Sequence, residues 1–557
     1  MQPRWRAIIS VALVVVSATA ASMERQQQSA AIASAHPLAT DAGRAVLDRG
    51  GNAFDAAVAT AAALAVVEPY SSGLGGGGFF LLHRAADAHQ VMVDARETAP
   101  AAVSEGLYLD GEGRPLRNAT TVGGKAAAIP GLPAGLVHVA TRYGSLPLTV
   151  LLAPAIRLAR EGFPVDARYA RIAKLREAYL RAGVNTTVFL DSGNAPAPGF
   201  ILRQPELAAT FERIARDGAE AFYRGPVAES LVETVNGAGG VWRAADLEGY
   251  RVLEREPIRF EYRGARITSA ALPSAGGIAL AQALGMLERF AIETPRSAHS
   301  AHLVIEALRR VFHDRARYLA DPGFVRVPVT TLLSREYSAR RASEIDRARA
   351  SVSDTLADAP RAESHNTTHL SVVDSAGNRV AATLTINLLF GSGLVAPGTG
   401  VLINNEMDDF SLRDDVPNAF RLRGGAANRI EPGKRPLSSM TPTFVEDERG
   451  VLILGSPGGS RIVSQVLLAV LDYVHTPVVD LERIVAAPRY HHQFWPDRVE
   501  IEPQGFAAEW RADLSGRGHR IQSAARAWGN MQAVYKAHRS GVAQAASDPR
   551  GKGVAWY

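Results

Sequence analysis

The sequence predicts a mixed α/β protein in which helices pack on β-sheets. Apolar residues recur with helical spacing at 132–142, 150–161, 205–215 and, most clearly, 298–319. Apolar and polar residues alternate as in strands at 368–374 and 379–389, on either side of a turn. With 557 residues, 47% of them hydrophobic, and no internal repeat, the chain is long enough to bury a large core.

The first twenty residues are typical of a secretory signal peptide. Arg4 and Arg6 precede an apolar run at 7–16, and small residues follow as far as Ala20. The run is shorter than the ~20 residues of a membrane-spanning helix, which argues against a signal anchor as the alternative. We therefore predict that residues 1–20 are removed near Ala20. The mature protein is expected to be periplasmic or secreted, with no stable membrane span.

Composition excludes several classes of function. The chain has no cysteine, so it has no disulfide framework, thiol nucleophile or thiolate metal site. The formal charge of +5 is small for this length, and neither a basic run nor interleaved aromatic residues indicate nucleic-acid binding. Histidines such as His491 and His492 lack further ligands at metal-binding spacing. We predict no bound metal and no cofactor.

After the signal segment comes an Ala-rich helical stretch at 38–67, which leads into a Gly-rich loop at 71–78 and a strand at 79–83. A Gly-rich loop can bind phosphate. This one lacks the Gly-Lys-Ser/Thr ending of a P-loop, and the order helix, loop, strand is opposite to that of a dinucleotide site. We predict a buried turn or a close backbone approach instead.

A polar loop at 343–364 leads to the most informative segment, His365-Asn-Thr-Thr-His369, where a strand begins. A hydroxyl residue directly after Asn366 suits a chain that cuts itself and uses the new amino-terminal Thr367 as its nucleophile. Such a residue carries its own base, because an α-amino group has an unperturbed pKa of about 7.7–8.0. The alternative is an ordinary strand start after a polar loop.

Five segments resemble the γ-glutamyltransferase (γ-glutamyl transpeptidase) family in order and spacing: 94–100, 366–369, 402–411, 434–442 and 455–461. The resemblance extends from about residue 35 to residue 550. It implies the four-layer αββα sandwich of amino-terminal nucleophile hydrolases, an α/β (α+β) fold. It also implies cleavage between Asn366 and Thr367 into a large subunit, 21–366, and a small subunit, 367–557, which together form one core.

The resemblance assigns the catalytic residues. Thr367 is the nucleophile, and Thr385 is similar to the position that hydrogen-bonds and orients it, although β-propensity alone would also explain a Thr there. Gly458 and Gly459 match the oxyanion hole, between strands predicted at 442–446 and 451–454 and a helix predicted at 460–473. Two consecutive glycines let backbone amides approach a substrate oxygen closely, although a plain tight turn is the alternative.

The substrate-binding residues follow from the same resemblance. Arg96 is placed to hold the α-carboxylate of a γ-glutamyl group, because a guanidinium binds a carboxylate bidentately. The other predicted groups are hydroxyl donors at Ser438 and Ser439, and acceptors for the substrate ammonium at Asn387, Glu406 and Asp409. The paired carboxylates Glu406 and Asp409 could instead indicate acid–base or metal chemistry. With an amino-terminal base available, ammonium binding explains them more simply.

Residues 411–435, the lid segment, resemble the loop that covers the glutamyl pocket in many members of the family. The aromatic residue at its tip, often Tyr, is Phe420 here. The hydrogen bond of a tyrosine hydroxyl is therefore not expected, whereas apolar shielding of the pocket is.

The predicted function is that of an exported, self-processing γ-glutamyltransferase and glutathione hydrolase. Its partners are γ-glutamyl substrates such as glutathione, and its acyl-enzyme is resolved by water or by an amino acid or peptide acceptor. One alternative is a glutaryl-type cephalosporin acylase of the same fold, against which Glu406 and Asp409 argue because unpaired buried carboxylates are costly. The other is a silent binding protein, which retention of Thr367, the oxyanion glycines and Arg96 disfavours.

Overall fold

The computed structural model describes residues 29–292, 294–353 and 367–557. The predicted signal peptide at 1–20, the second half of the polar loop at 343–364, and Asn366 at the predicted cleavage point lie outside these residues. None of the helices in the described ranges is both long enough and apolar enough to cross a membrane.

The helices of the described residues are, in chain order, α1 Pro37–Leu47, α2 Ala53–Val67, α3 Leu132–Tyr143, α4 Leu148–Glu161, α5 Ala167–Ala182, α6 Pro205–Asp217, α7 Glu220–Tyr223, α8 Gly225–Gly237, α9 Ala244–Glu248, α10 Gly276–Leu287, α11 Ala298–Tyr318, α12 Val329–Leu332, α13 Arg335–Ser343, α14 Arg461–His475, α15 Leu481–Ala486 and α16 Ala508–Gly516.

The strands are β1 Ala31–Ser34, β2 Gly77–Arg84, β3 His89–Ala95, β4 Phe163–Pro164, β5 Ile201–Leu202, β6 Leu253–Arg255, β7 Ile258–Tyr262, β8 Ala265–Ser269, β9 Thr368–Val373, β10 Arg379–Thr385, β11 Val395–Ala396, β12 Val401–Leu402, β13 Thr443–Glu446, β14 Gly450–Gly455, β15 Tyr490–His491, β16 Val499–Ile501, β17 Ile521–Ser523, β18 Gln532–Ala537, β19 Ala543–Ser547 and β20 Val554–Trp556.

Two antiparallel sheets pack face to face and carry helices on their outer faces. The first has the order β20-β1-β9-β10-β2-β3-β6, and the second β19-β18-β14-β13-β8-β7. Contacts of β9 and β10 with β14 and β18 join the sheets. Helices α1 to α4 share an apolar core with the first sheet, and α10, α11 and α14 share one with the second. The predicted αββα sandwich is confirmed, and each sheet contains strands from both sides of Thr367.

The close approach of the two sheets explains one glycine beside the site. A Cβ on Gly455, the last residue of β14, would lie 2.3 Å from Cε1 of His369 on β9. That histidine is fully buried, and burial lowers its pKa to about 3. His369 is therefore a neutral side chain between the sheets near neutral pH.

The Ala-rich stretch forms two helices rather than the one predicted. Helix α1 ends at Leu47, and Asn52 caps α2, because its side chain accepts from the backbone N–H of Phe54 and Asp55. Every residue of α2 is buried. Small side chains allow tight packing here, since a Cβ on Gly43 of α1 would lie 2.3 Å from Oγ1 of Thr60 on α2.

The Gly-rich loop makes the close backbone approach that the sequence predicted. A Cβ on Gly75 would lie 2.0 Å from the carbonyl oxygen of Leu402, and one on Gly76 would lie 2.1 Å from that of Thr385. The loop is buried and leads directly into β2. It therefore fixes the end of β10, where one of the predicted catalytic residues lies.

Strand β10 is shorter than predicted. The alternating pattern extends to residue 389, but the strand ends at Thr385. Asn387 and Phe390 have positive φ angles of 68° and 60°, which an extended strand does not allow. The chain therefore turns after Thr385 and brings Asn387 to the sheet end.

Candidate active site

The predicted nucleophile lies at the start of a central strand. Thr367 directly precedes β9, which is flanked by β1 and β10. Thr367 itself is only 6% exposed. Its Oγ1 is 3.4 Å from Oγ1 of Thr385, the last residue of β10, and Thr385 Oγ1 accepts from the backbone N–H of Asn387 at 2.8 Å. The contact is longer than the ~2.7–2.8 Å of an optimal hydroxyl pair, and such contacts often tighten only with substrate bound. The fold therefore brings the two threonines together as predicted.

A carboxylate that the sequence analysis missed anchors the residue after Thr367. Thr368 Oγ1 donates to Glu68 Oε2 at 2.8 Å, and the Tyr70 hydroxyl donates to Glu68 Oε1 at 3.0 Å. Glu68 is fully buried, and burial raises its pKa. The available signal was a charged residue directly after the largely apolar helix α2. By holding Thr368, Glu68 fixes the backbone from which Thr367 projects.

Gly458 and Gly459 form the turn between β14 and α14, as predicted. Their φ angles are 138° and 57°, in the region that glycine adopts most readily. The first turn of the 15-residue helix α14 begins two residues later, so its dipole favours negative charge at this point. A Cβ on Gly459 would lie 2.3 Å from the ring of Phe420. The lid residue thus lies directly on the predicted oxyanion turn.

These groups line one cleft of about 300 Å³. Its lining includes all but one of the residues that the sequence singled out, together with Phe420 and Ser460. The exception is Gly458, which lines an adjoining cavity. The predicted residues in the cleft are Arg96, Thr367, Thr385, Asn387, Glu406, Asp409, Ser438, Ser439 and Gly459.

Arg96 is fully buried at the bottom of the cleft and is paired with two acidic residues. Its Nη2 donates to Asp409 Oδ2 at 2.6 Å, and its Nη1 donates to Glu406 Oε1. Its Nε donates to the carbonyl oxygen of Pro436 at 3.1 Å. The sequence analysis assigned the arginine and the two carboxylates to different substrate groups. The structure pairs them with one another, because buried opposite charges are stable only when they are paired.

Arg96 has a third acidic neighbour, Glu97, which the sequence analysis missed. Glu97 Oε2 is 3.6 Å from Arg96 Nη1, and neither carboxylate oxygen of Glu97 has a hydrogen-bond partner among the described residues. Burial raises the pKa of Glu97 to about 7 and that of Glu406 well above its usual range. The charge of Arg96 opposes both shifts. A cationic ligand group beside these carboxyls would lower both pKa values.

Asp408, also missed, joins the cleft to the lid segment. Its Oδ2 accepts from the backbone N–H of Ala419 at 3.0 Å, and its Oδ1 accepts from Thr120 Oγ1 at 2.9 Å. Burial raises its pKa to about 7. On the neighbouring residue, Asp409 Oδ1 accepts from Asn418 Nδ2 at 3.2 Å. Two successive carboxylates thus hold the lid segment at Asn418 and Ala419.

The remaining predicted polar side chains differ in the hydrogen bonds that they already make. Ser438 Oγ accepts from the backbone N–H of Met440 at 3.1 Å, whereas Ser439 Oγ is buried without a hydrogen-bond partner among the described residues. Asn387 Nδ2 donates to the carbonyl oxygen of Asn405 at 2.8 Å, which leaves its side-chain oxygen available as an acceptor. Within the described ranges no group of three or more acidic or histidine side chains is arranged to hold a metal ion.

Comparisons relate the chain to known proteins. A profile of the gamma-glutamyltranspeptidase family matches residues 39–557. A glutathione hydrolase proenzyme of Pseudomonas aeruginosa is 40% identical over 564 residues, covering 100% of this chain and 99% of that protein. The crystal structure of cephalosporin acylase from Bacillus halodurans has a TM-score of 0.82 at 29% identity, covering 95% of this chain and 96% of that one. Gamma-glutamyltranspeptidase from Pseudomonas nitroreducens, complexed with L-DON, has a TM-score of 0.54 at 39% identity, covering 57% of this chain and 94% of that one.

Proposed function

Because the chain belongs to the γ-glutamyltranspeptidase family and is a γ-glutamyltransferase/hydrolase, we propose that it is exported, cleaves itself before Thr367, and releases the γ-glutamyl group of glutathione and related amides. The observation that carries this proposal is the single cleft that holds Thr367, Thr385 and the Arg96 ion pairs. After removal of residues 1–20, the products of cleavage are a large subunit, 21–366, and a small subunit, 367–557.

Self-cleavage comes first in the proposed sequence. Thr367 Oγ1 attacks the carbonyl carbon of the preceding residue, the backbone nitrogen of Thr367 leaves, and water hydrolyses the resulting ester. The new amino group is then available as a base, which an amide nitrogen is not. The name proenzyme for the Pseudomonas aeruginosa relative supports this step. Since both sheets contain strands from both sides of Thr367, cleavage leaves one core.

The free Thr367 then acts on the substrate. Its α-amino group takes the hydroxyl proton, and Oγ1 attacks the γ-carbonyl carbon of the substrate. The oxyanion of the tetrahedral intermediate accepts from backbone N–H groups of the turn at Gly458 and Gly459, where one lost donor typically costs about 3–4 kcal/mol of barrier. The protonated α-amino group of Thr367 then gives its proton to the leaving amine. Water or an acceptor amine resolves the remaining ester.

Substrate binding exchanges one set of ion pairs for another. The α-carboxylate of the γ-glutamyl group takes the place of an acidic side chain on Arg96, and the released Glu406 and Asp409 accept from the α-ammonium. Ser439 Oγ, buried and without a partner among the described residues, can donate to the α-carboxylate. Every charge keeps a partner through the exchange, which a buried site requires.

A glutaryl-type acylase is the second candidate, because the acylase from Bacillus halodurans has the same overall structure. A glutaryl group has a carboxylate for Arg96 but no ammonium. Once that carboxylate occupied Arg96, the displaced Glu406 and Asp409 would lose their ion pairs with it, at a cost of several kcal/mol. The carboxyl groups beside Arg96 therefore favour the γ-glutamyl substrate, whose ammonium can replace those pairs.

The function is tested by comparing a γ-glutamyl anilide with the matching glutaryl anilide on the purified protein. We expect hydrolysis of the γ-glutamyl compound to have the larger kcat/KM and to be stimulated by a dipeptide acceptor. A preference for the glutaryl compound would make the protein an acylase. Hydrolysis of neither compound by a cleaved, folded protein would contradict both candidates.

Arg96→Lys is expected to weaken the apparent affinity for γ-glutamyl substrates. Lysine keeps the positive charge between Glu406 and Asp409 but loses the planar fork that binds a carboxylate bidentately. Hydrogen bonds to charged groups are worth about 1.5–3 kcal/mol, so KM should rise roughly 10- to 150-fold. Self-cleavage is the control, since it does not use the α-carboxylate. Unchanged kinetics in a cleaved variant would remove Arg96 from the substrate site.

A further inference from the structure

A second cavity, here called the basic chamber, adjoins the catalytic cleft. It shares Phe420 and Ser460 with the cleft, and Gly458 of the oxyanion turn also lines it. Ser460 Oγ donates to Gln493 Oε1 at 2.6 Å, and Gln493 Nε2 donates to the carbonyl oxygen of Phe420 at 3.0 Å. Phe420 and Ser460 therefore form a shared boundary of the two spaces, and the catalytic steps proposed above use one residue of the chamber lining, Gly458.

The chamber is strongly positive. Among the residues that the structure describes, three guanidinium groups line it, those of Arg421, Arg461 and Arg498, against one carboxylate, that of Glu500. Burial alone would raise the pKa of Glu500, but Arg461 and other positive neighbours lower it to about 2, so this carboxylate is ionised. Burial lowers the pKa of His491 to about 4, so this side chain is neutral. The formal charge of the lining is thus +2 near neutral pH.

The three arginines differ in the contacts that they make with other protein groups. Arg461 donates through Nε and Nη2 to Glu500 Oε2 at 3.0 and 2.5 Å and stacks over the ring of Trp528, so it is held in the wall. Arg498 donates only through Nη2, to Glu500 Oε1 at 3.1 Å, and its buried Nε has no hydrogen-bond partner among the described residues. Arg461 and Arg498 share the carboxylate of Glu500, which neutralises only one of their two charges.

Arg421 brings the third charge from the lid segment. It follows Phe420 directly and has a φ of 60°, an unfavourable backbone angle for a residue other than glycine. Its backbone N–H donates to the carbonyl oxygen of Asn418 at 2.8 Å, in the turn that Asp409 also holds. The strained turn thus directs Phe420 to the oxyanion turn and Arg421 to the chamber.

We propose that the basic chamber binds the terminal carboxylate of the peptide that leaves the substrate, and of a peptide acceptor that takes its place. This inference rests on the proposed function. A leaving dipeptide such as that of glutathione ends in a carboxylate about 7 Å along an extended chain from the scissile nitrogen. That reach suits a site directly beyond Phe420 and Ser460. Arginine is the side chain best suited to bind such a carboxylate, through paired N–H donors.

The test compares three donors on the same enzyme: glutathione, glutathione with an amidated carboxyl terminus, and a γ-glutamyl anilide. The readout is the ratio of kcat/KM for glutathione to that for the anilide, whose leaving group has no carboxylate. We expect Arg498→Gln to lower this ratio by roughly tenfold or more, and Arg498→Lys to restore part of it. The ratio of kcat/KM for amidated glutathione to that for the anilide should not change in these variants. Arg483→Gln, at an exposed arginine outside the chamber, is the matched control.

Two results would overturn the inference. One is an unchanged glutathione-to-anilide ratio in both Arg498→Gln and Arg421→Gln, the second of which leaves the Glu500 pairs intact. The other is wild-type enzyme that uses amidated glutathione as well as glutathione. Failure of the proposed function looks different, because a cleaved wild-type protein would then hydrolyse neither glutathione nor the anilide, and the chamber would lose its role with it.

Discussion

Thr367→Ala is expected to yield a single uncleaved chain with no useful γ-glutamyl hydrolysis. The substitution removes the hydroxyl that attacks the preceding carbonyl carbon, so the α-amino base is never released. It also removes the nucleophile itself, a loss that costs about 10⁶-fold in kcat in a serine protease. Denaturing gels and hydrolysis of a γ-glutamyl anilide measure the two effects on one preparation.

Thr367→Ser is the matched control, because it retains a hydroxyl at the same position. We expect it to be cleaved and active, with altered rates. The melting temperature of Thr367→Ala should fall only slightly below that of an uncleaved wild-type precursor, since alanine removes one methyl group and the hydroxyl that contacts Thr385 at 3.4 Å, while both sheets keep their strands. Two chains in the Thr367→Ala variant, cut at the same place, would show that another group performs the cleavage.

Asp409→Asn is expected to separate γ-glutamyl from glutaryl substrates. Asp409 Oδ2 is 2.6 Å from Nη2 of Arg96, the residue proposed to hold the α-carboxylate of the γ-glutamyl group. In the proposed complex it accepts from the α-ammonium, and truncating such a desolvated pair typically costs about 2–5 kcal/mol. Activity on γ-glutamyl amides should fall by more than roughly tenfold, since about 1.4 kcal/mol corresponds to one decade.

Glutaryl amides provide the internal comparison for Asp409→Asn. They have no ammonium to pair, so activity on them should hold steady or rise. Asp408→Asn is the matched control, because Asp408 accepts from Thr120 and from the backbone of Ala419 rather than from Arg96. It is expected to loosen the lid segment and affect both substrates alike. Equal loss on both substrates in Asp409→Asn would assign Asp409 to the fold rather than to the ammonium.

The sequence predicted the parts of the site that are set by local pattern. Alternation placed a strand directly after Thr367, and consecutive glycines before a helical pattern placed the turn at Gly458 and Gly459. The assembly of distant segments in one cleft followed from the family resemblance. Helices with weak or unusual patterns were missed, such as the polar α5, and α10, whose Gly276-Gly277 start is typical of a loop.

The hydrogen bonds and ion pairs that join residues distant in sequence were not predictable from local pattern. Glu68 is 300 residues from Thr368 in sequence, and nothing near Glu68 indicates that its carboxylate accepts from that hydroxyl. The pairing of Arg96 with Glu406 and Asp409 is likewise a property of the folded cleft. Sequence reasoning identified the three residues and their charges, but which of them meet depends on the turn that follows β10 and on the close approach of the glycine loop.

The central claim is that the working enzyme has Thr367 as a free amino-terminal residue. Amino-terminal sequencing of the smaller chain, separated from purified and active wild-type protein, tests this most directly. We predict that this chain begins Thr367-Thr368-His369-Leu370 and that its amount equals that of the active sites titrated. An intact chain with full activity, or a smaller chain that begins at another residue, would contradict the account.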